Sequence, residues 1–420
     1  MAKIYQEIAS SHPIADGPKL VVRILNVAQT YFPYIAEGGR PTKVRALSRT
    51  LAEHGHSVTV LSANLGLSEW SKVTCSVQKT AMGLQYTENG VVAIYLPTLA
   101  RYRVLTINPR VIRFCRVHLS QFDLVHFYGL YDLLGPVISQ FSRRKGIPYV
   151  IEPMGMYRPI DRNIEMKKIW HRTIGAEFCR NAARVIATSE LEQKELVESG
   201  VPREKIAIRH NGIDSEVSTT AYPRGRFRSQ WGISEDEPLI LFLSRLIPRK
   251  GADLLIQAFA QAFPLSGRLV IAGPEGEPGY RAQLETCARN SGVGARVLFA
   301  GPVYDEEKGL LLADADVFVL PSRYENFANV AAEAIACGVP VIITPFCGIC
   351  SLVDDRAGLV VLPEKEALTL ALKRLLHDRS LYARLREGCR EVTSELSWDR
   401  LTQQMEGYYK GVVAGSDGSN

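Results

Sequence analysis

The chain of 420 residues contains no apolar run near the ~20 residues that a bilayer-spanning helix needs. It also lacks the GxGxxG turn: Gly273-Pro-Glu-Gly276-Glu-Pro-Gly279 has a different spacing, which excludes the dinucleotide fingerprint. Its eight cysteines stand singly, apart from Cys347 and Cys350, so no disulfide framework is expected and a reducing compartment fits. No second CxxC or His pair completes a zinc site with Cys347 and Cys350. They are read as small buried hydrophobes. Charge of one sign does not dominate either: 50 basic against 44 acidic residues give +6. The one dense basic run, Arg143-Arg144-Lys145, closes a helix, where cations favour the dipole, so nucleic acid is not an expected partner. The mild positive charge suits an anionic substrate or an acidic membrane surface. Residues 1–19 have no apolar central stretch, so no secretion signal is expected. The expected location is cytoplasmic, with peripheral contact to the inner face of the plasma membrane left open.

What is present is a regular alternation. Short apolar runs recur at Leu20–Ala28, Ser57–Ser62, Val91–Leu96, Leu124–Phe127, Pro148–Ile151 and Arg184–Ala187. A second series follows at Leu239–Leu243, Arg268–Ala272, Val297–Ala300, Val317–Leu320 and Val341–Thr344. Nearly continuous hydrophobic runs predict parallel strands covered on both faces. Helical windows lie between them, as at Thr42–His54, where Val44, Leu47 and Leu51 share one face. The pattern predicts an α/β protein of two Rossmann-like, doubly wound parallel-sheet domains facing a cleft. The stretch Asn211–Ile233, rich in Gly, Pro, Ser and Thr, reads as the linker.

Three loops carry residue types suited to chemistry. Glu37-Gly38-Gly39-Arg40-Pro41 precedes a helix, where paired glycines admit a ligand close to backbone N–H groups. It can equally be a plain strand-to-helix turn. Arg245 and Lys250-Gly251 follow the first strand of the second series and offer two cations to a diphosphate, or form a solvated basic loop. The segment from Pro321 to Pro340 places Glu325 on a loop and Glu333 on an alanine-rich helix. A carboxylate on so crowded a helix needs a partner, either sugar hydroxyls or a structural Arg or Lys. Asp314 and Asp316 precede a strand instead of following one, and read as a helix end and strand start instead of a metal-binding pair.

Glu325 and Glu333 with seven residues between them, followed by Ala-Ile-Ala-Cys-Gly-Val-Pro-Val, resemble the signature of glycosyltransferase family 4, whose members are retaining enzymes of the GT-B fold. The Arg245…Lys250-Gly251 loop, the Gly38-Gly39 turn and Asn211-Gly212-Ile213-Asp214 match that family in order and spacing, from about residue 20 to about residue 410. The resemblance implies an acceptor-side domain over 20–212, a nucleotide-sugar domain over 213–396 and a helix over 397–414 crossing back, with Trp398 packing between domains. The composition of 415–420 predicts a disordered tail.

The resemblance also implies roles. Arg245 and Lys250 would hold the donor diphosphate, Glu325 would contact the donor-sugar hydroxyls, and Asn326, Phe327, Ala328 and Asn329 would lie near the sugar and phosphates. Glu333 would bind the ribose, while Gly38 and Gly39 would approach from the first domain. Glu325, Arg245, Lys250 and His126 are the catalytic candidates. The family often shows two alternating His at this strand end; here they are His126 and Tyr128, so Tyr128 and Gly155 stand as acceptor-side candidates. The Gly273–Gly279 loop is expected to meet the base, and Lys167, Lys168 and Arg172 to decorate a solvent-facing helix. The nucleotide sugar is a co-substrate and no cofactor or metal is expected, since Arg245, Lys250 and a helix N-terminus supply positive charge. The expected activity is transfer of a sugar to a glycan or lipid-linked acceptor in cell-surface polysaccharide biosynthesis. Two alternatives are a non-catalytic nucleotide- or sugar-binding partner subunit and a nucleotide-sugar 2-epimerase of the same fold.

Overall fold

A computed structural model describes residues 21–34, 39–66, 77–102, 105–159, 164–213, 222–263 and 266–417. Glu37, Gly38 and Asp214 lie outside the described residues, as does Leu20. The first domain contains β1 (Arg23–Ala28), β2 (Ser57–Ala63), β3 (Gln78–Lys79), β4 (Leu84–Glu88), β5 (Val91–Leu96), β6 (Ala100–Tyr102) and β7 (Leu105–Ile107). It continues with β8 (Leu124–Tyr128), β9 (Tyr149–Glu152), β10 (Arg184–Ala187) and β11 (Ile206–Ile208). The second contains β12 (Leu239–Leu243), β13 (Arg268–Ala272), β14 (Val297–Gly301), β15 (Val317–Leu320), β16 (Val341–Ile343) and β17 (Gly358–Val360).

The first sheet has the order β11-β10-β9-β8-β1-β2-β5-β4-β3, parallel through β5 and antiparallel at β4 and β3. The second, β14-β13-β12-β15-β16-β17, is parallel throughout. Each sheet changes winding direction beside its first strand, β1 or β12, and such switch points open a crevice at the strand C-termini. Every residue of β12 and β15 is buried, which explains their unbroken apolar sequences.

Apolar clusters line both faces of the first sheet and enclose the second. One face of the first sheet is covered by the helix Gly39–Glu53, through Val44, Leu47 and Leu51, together with the C-terminal helix Trp398–Asp417. That last helix buries Leu401, Met405 and Tyr409 and so belongs physically to the first domain. It runs through Asp417, three residues beyond the boundary at 414. The stretch read as linker holds a helix, Arg226–Gln230, whose Arg228 is buried. Arg228 donates to the Asp314 backbone oxygen (3.1 Å) and to Asp316 (2.8 Å), so these two aspartates serve the sheet edge.

Candidate active site

The second domain builds its side of the cleft from the loops after β12 and β15. After β12 the chain passes exposed Arg245 and makes a single tight turn, Pro248–Lys250. Gly251 follows at φ +75°, and a Cβ there would lie 2.5 Å from the Pro321 backbone oxygen, so the approach to the β15 loop requires glycine. This brings buried Lys250 into an ion pair with Glu325. Glu325 is held in turn by the loop after β16: its N–H donates to Phe346 O (2.8 Å) and its carbonyl accepts from Gly348 N (3.0 Å). Ala328 then adopts a left-handed conformation (φ 77°, ψ 61°), a non-glycine strain of about 1–3 kcal/mol, and starts the helix Asn329–Ala336. Ala331, Ala332, Ala334 and Ala336 are buried along that helix. Glu333, on the same helix, pairs with Lys308 at 3.0 Å. The Gly273–Gly279 loop lies against the Arg245 loop, where Leu246 N donates to Pro274 O (2.9 Å).

The first domain meets these loops directly. A Cβ on Gly39 would sit 3.0 Å from Asn329 Nδ2, and one on Gly155 would sit 2.6 Å from Asn326 Cγ. Asn326 Nδ2 donates to Thr188 Oγ1 (2.8 Å), Ser189 Oγ donates to Asn326 O (3.0 Å), and Asn211 Nδ2 donates to Asn329 Oδ1 (2.7 Å). The described loops therefore touch across the cleft, with Lys250, Glu325, Asn326 and Asn329 opposite Gly39 and Gly155.

His126 and Tyr128 are placed differently from the expectation. Both are fully buried in β8, two residues apart and so on one face of the strand, with their rings stacked at 4.1 Å. His126 Nδ1 is 2.7 Å from the Tyr409 hydroxyl on the C-terminal helix, which covers this face. Burial, with Arg209 and Lys43 adding repulsion, pushes the imidazole pKa well below its usual value, while burial pushes the Tyr128 hydroxyl up. Both side chains pack the domain interior in this structure.

The family model for "Glycosyltransferase Family 4" matches residues 38–217 and that for "Glycosyl transferases group 1" matches residues 223–392. A D-inositol 3-phosphate glycosyltransferase of Nocardioides sp. is 30% identical over 312 residues, covering 69% of this chain and 68% of that protein. The chain belongs to glycosyltransferase family 4. A second D-inositol 3-phosphate glycosyltransferase, from Xylanimonas cellulosilytica, is 28% identical to this glycosyltransferase over 94% of the chain and 97% of its own length. The solved structure of Anabaena HepE in complex with UDP and glucose superimposes with a TM-score of 0.71 at 20% identity, over 93% of this chain and all of that one, which identifies the fold as GT-B.

Of the expected site residues of this glycosyltransferase, Arg245 is exposed on the β12 loop, Glu333 pairs with Lys308, and Phe327 and Ala328 are buried in the loop that leads to Asn329. Lys250, Glu325, Asn326 and Asn329 converge with Gly39 and Gly155. His126 and Tyr128 do not join them. Sequence reasoning missed Lys43 and Arg209, which form a buried polar group of the first domain with Glu152 and Asn211, none above 8% exposure. One signal was available, because Lys43 stands four residues before Leu47, within the apolar stripe of its helix.

Proposed function

We propose that this glycosyltransferase moves a sugar from a nucleoside-diphosphate donor to a hydroxyl of a glycan or lipid-linked acceptor, with retention at the anomeric carbon, in cell-surface polysaccharide assembly. The observation that carries this is the Lys250–Glu325 pair at the mouth of β12 and β15, beside the N-terminus of the Asn329–Ala336 helix. Anions are favoured there by the helix dipole and its free N–H groups. In this reading Arg245 and Lys250 hold the diphosphate, Glu325 accepts hydrogen bonds from sugar hydroxyls, and Glu333 accepts from the ribose. As the acceptor oxygen bonds to the anomeric carbon, the bond to the diphosphate breaks on the same face. The acceptor proton passes to the departing phosphate oxygen, and fixed cations offset the charge that develops there. The UDP of the HepE complex makes UDP the first donor nucleotide to try.

Thermal-shift titration with UDP, GDP and ADP tests this, each repeated on Lys250→Ala and Glu333→Ala. A shift with one nucleotide that both variants weaken is the expected result. No shift with any of the three overturns it in favour of a protein that does not use these donors.

Peripheral membrane contact belongs to the same proposal. Residues 89–122 contain no Asp or Glu. Arg110, Arg113 and Arg116 are exposed on the helix Arg110–Val117, together with Ile112 and Val117, and Leu99 and Ile107 are exposed nearby in sequence. Basic residues contribute about 1 kcal/mol each near an anionic leaflet, and apolar neighbours add burial. Among the described residues no helix is long and apolar enough to cross a membrane. Co-sedimentation with phosphatidylglycerol vesicles, lost in Arg113→Glu/Arg116→Glu, is expected; equal binding by that variant overturns the assignment.

A further inference from the structure

The buried Lys43 is connected to the donor loop by a hydrogen-bonded chain whose direction is fixed. Lys43 lies on the Gly39–Glu53 helix, and its Nζ donates to Glu152 Oε1 and to Asn211 Oδ1. The Glu152 carboxylate is fully buried, and its second oxygen accepts from Arg209 Nη2 at 2.6 Å. Two cations therefore hold one carboxylate in place, and that carboxylate holds Lys43. An ammonium has donors and no acceptor, so the Asn211 carboxamide must turn its oxygen toward Lys43. Its nitrogen then points the other way, across the domain boundary, and donates to Asn329 Oδ1 at 2.7 Å. With that oxygen occupied, Asn329 presents its Nδ2 toward Gly39, where a Cβ would lie 3.0 Å away.

We propose that Lys43 is a positioning residue for glycosyl transfer: acting through Asn211, it sets the Asn329 carboxamide so that N–H donors face the donor diphosphate. The inference rests on the donor site proposed above and adds a residue that never touches the substrate. A primary amide rotated by 180° would show its oxygen to the phosphate oxygens, turning attraction into repulsion at one end of the anion. Burial and the nearby Arg209 push the Lys43 pKa well below its usual value, while the contact with the Glu152 carboxylate favours the ammonium, and an ammonium can only donate. The relay spans the Gly39–Glu53 helix, the end of β9, the segment after β11 and the Asn329–Ala336 helix, so it is complete only when the two domains meet.

Removing Lys43 leaves the buried Glu152 carboxylate paired with Arg209, so the lysine can be replaced without stranding a charge. The test therefore compares the wild type with Lys43→Met in the full chain, measuring affinity for the nucleoside diphosphate that binds the wild type. Asn329→Ala, at an exposed position, is combined with each. Asn211→Asp is the second probe: it keeps the acceptor for Lys43 and deletes the donor to Asn329. The expected result is roughly a tenfold loss of affinity on removing Lys43 or on Asn211→Asp. Neither loss should deepen once Asn329 is alanine. Losses that multiply with Asn329→Ala, or unchanged affinity without Lys43, overturn the relay. A wild type that binds no nucleoside diphosphate overturns the donor site itself, a failure seen before any variant is made.

Discussion

The Tyr324 hydroxyl donates to Glu195 Oε2 over 2.9 Å, and this bond crosses from the second domain to the first. Arg158 pairs with the same carboxylate at 3.1 Å and lies over the Tyr324 ring at 5.2 Å. Burial dominates the environment of Glu195 and raises its pKa above the usual carboxylate value. A folded-state pKa above the unfolded one means that the folded protein binds the proton more tightly. The resulting stability is full below the unfolded pKa and is lost as pH rises through the raised value. Thermal melting across pH 4–7 should therefore show a downward contribution from Glu195 with rising pH. Glu195→Gln should flatten that part of the profile, and an unchanged profile would contradict the assignment.

Lys250→Ala should lower kcat by roughly a hundredfold, the scale seen when one preorganised electrostatic contact is deleted. Steady-state kinetics with the donor identified by thermal shift measure it. A rise in KM with kcat unchanged would place Lys250 in ground-state binding alone.

Glu333→Ala should raise the donor KM roughly tenfold with kcat little changed, since a ribose contact is made equally before and during transfer. It also frees Lys308 from its 3.0 Å pair. Lys308→Ala therefore serves as a control for the loss of the pair alone and should leave KM near the wild-type value.

Gly155→Ala should cut kcat/KM, because the new methyl group would meet Asn326 Cγ and Cβ at 2.6 and 2.7 Å and hold the domains apart. At φ +73° it also strains the backbone, by about 1 kcal/mol. Adding Asn326→Gly removes the obstruction and should restore part of the rate without restoring the melting temperature. A double variant as slow as Gly155→Ala alone would mean that backbone strain is the whole effect.

His126→Ala should act on stability and spare chemistry. It removes a fully buried ring and its bond to Tyr409, at a cost of about 2 kcal/mol. The rate per folded molecule should stay within about threefold of wild type. A loss of orders of magnitude in that rate, with folding intact, would return His126 to the catalytic group.

Both parallel sheets were legible in the sequence because buried parallel strands are written as unbroken apolar runs, as in Leu239–Leu243. The antiparallel additions were not read, although Asn89-Gly90, with both residues at positive φ, is a hairpin signal between β4 and β5. Lys250, Glu325 and Asn329 could be named from their motif, since local turns carry them to the strand ends. His126 and Tyr128 could not be located that way. Their burial is decided by Tyr409, which lies 283 residues from His126, and sequence spacing carries no trace of such a contact. Lys43 and Arg209 were missed because each, taken singly, looks like an ordinary surface cation.

The C-terminal helix completes the interior of the domain that begins the chain, supplying Met405, Tyr409 and Val412 to a cluster built otherwise around β1, β2, β5 and β8. During synthesis, the first domain therefore waits. Its sheet can pair as soon as β11 has left the ribosome, yet the part of one face beside the Gly39–Glu53 helix stays uncovered until the whole second domain and the final helix have been translated. The second domain, continuous in sequence, can fold during that interval. The order of assembly is thus the reverse of the order of synthesis, and truncation before Trp398 should yield a sound second domain attached to an aggregation-prone first one.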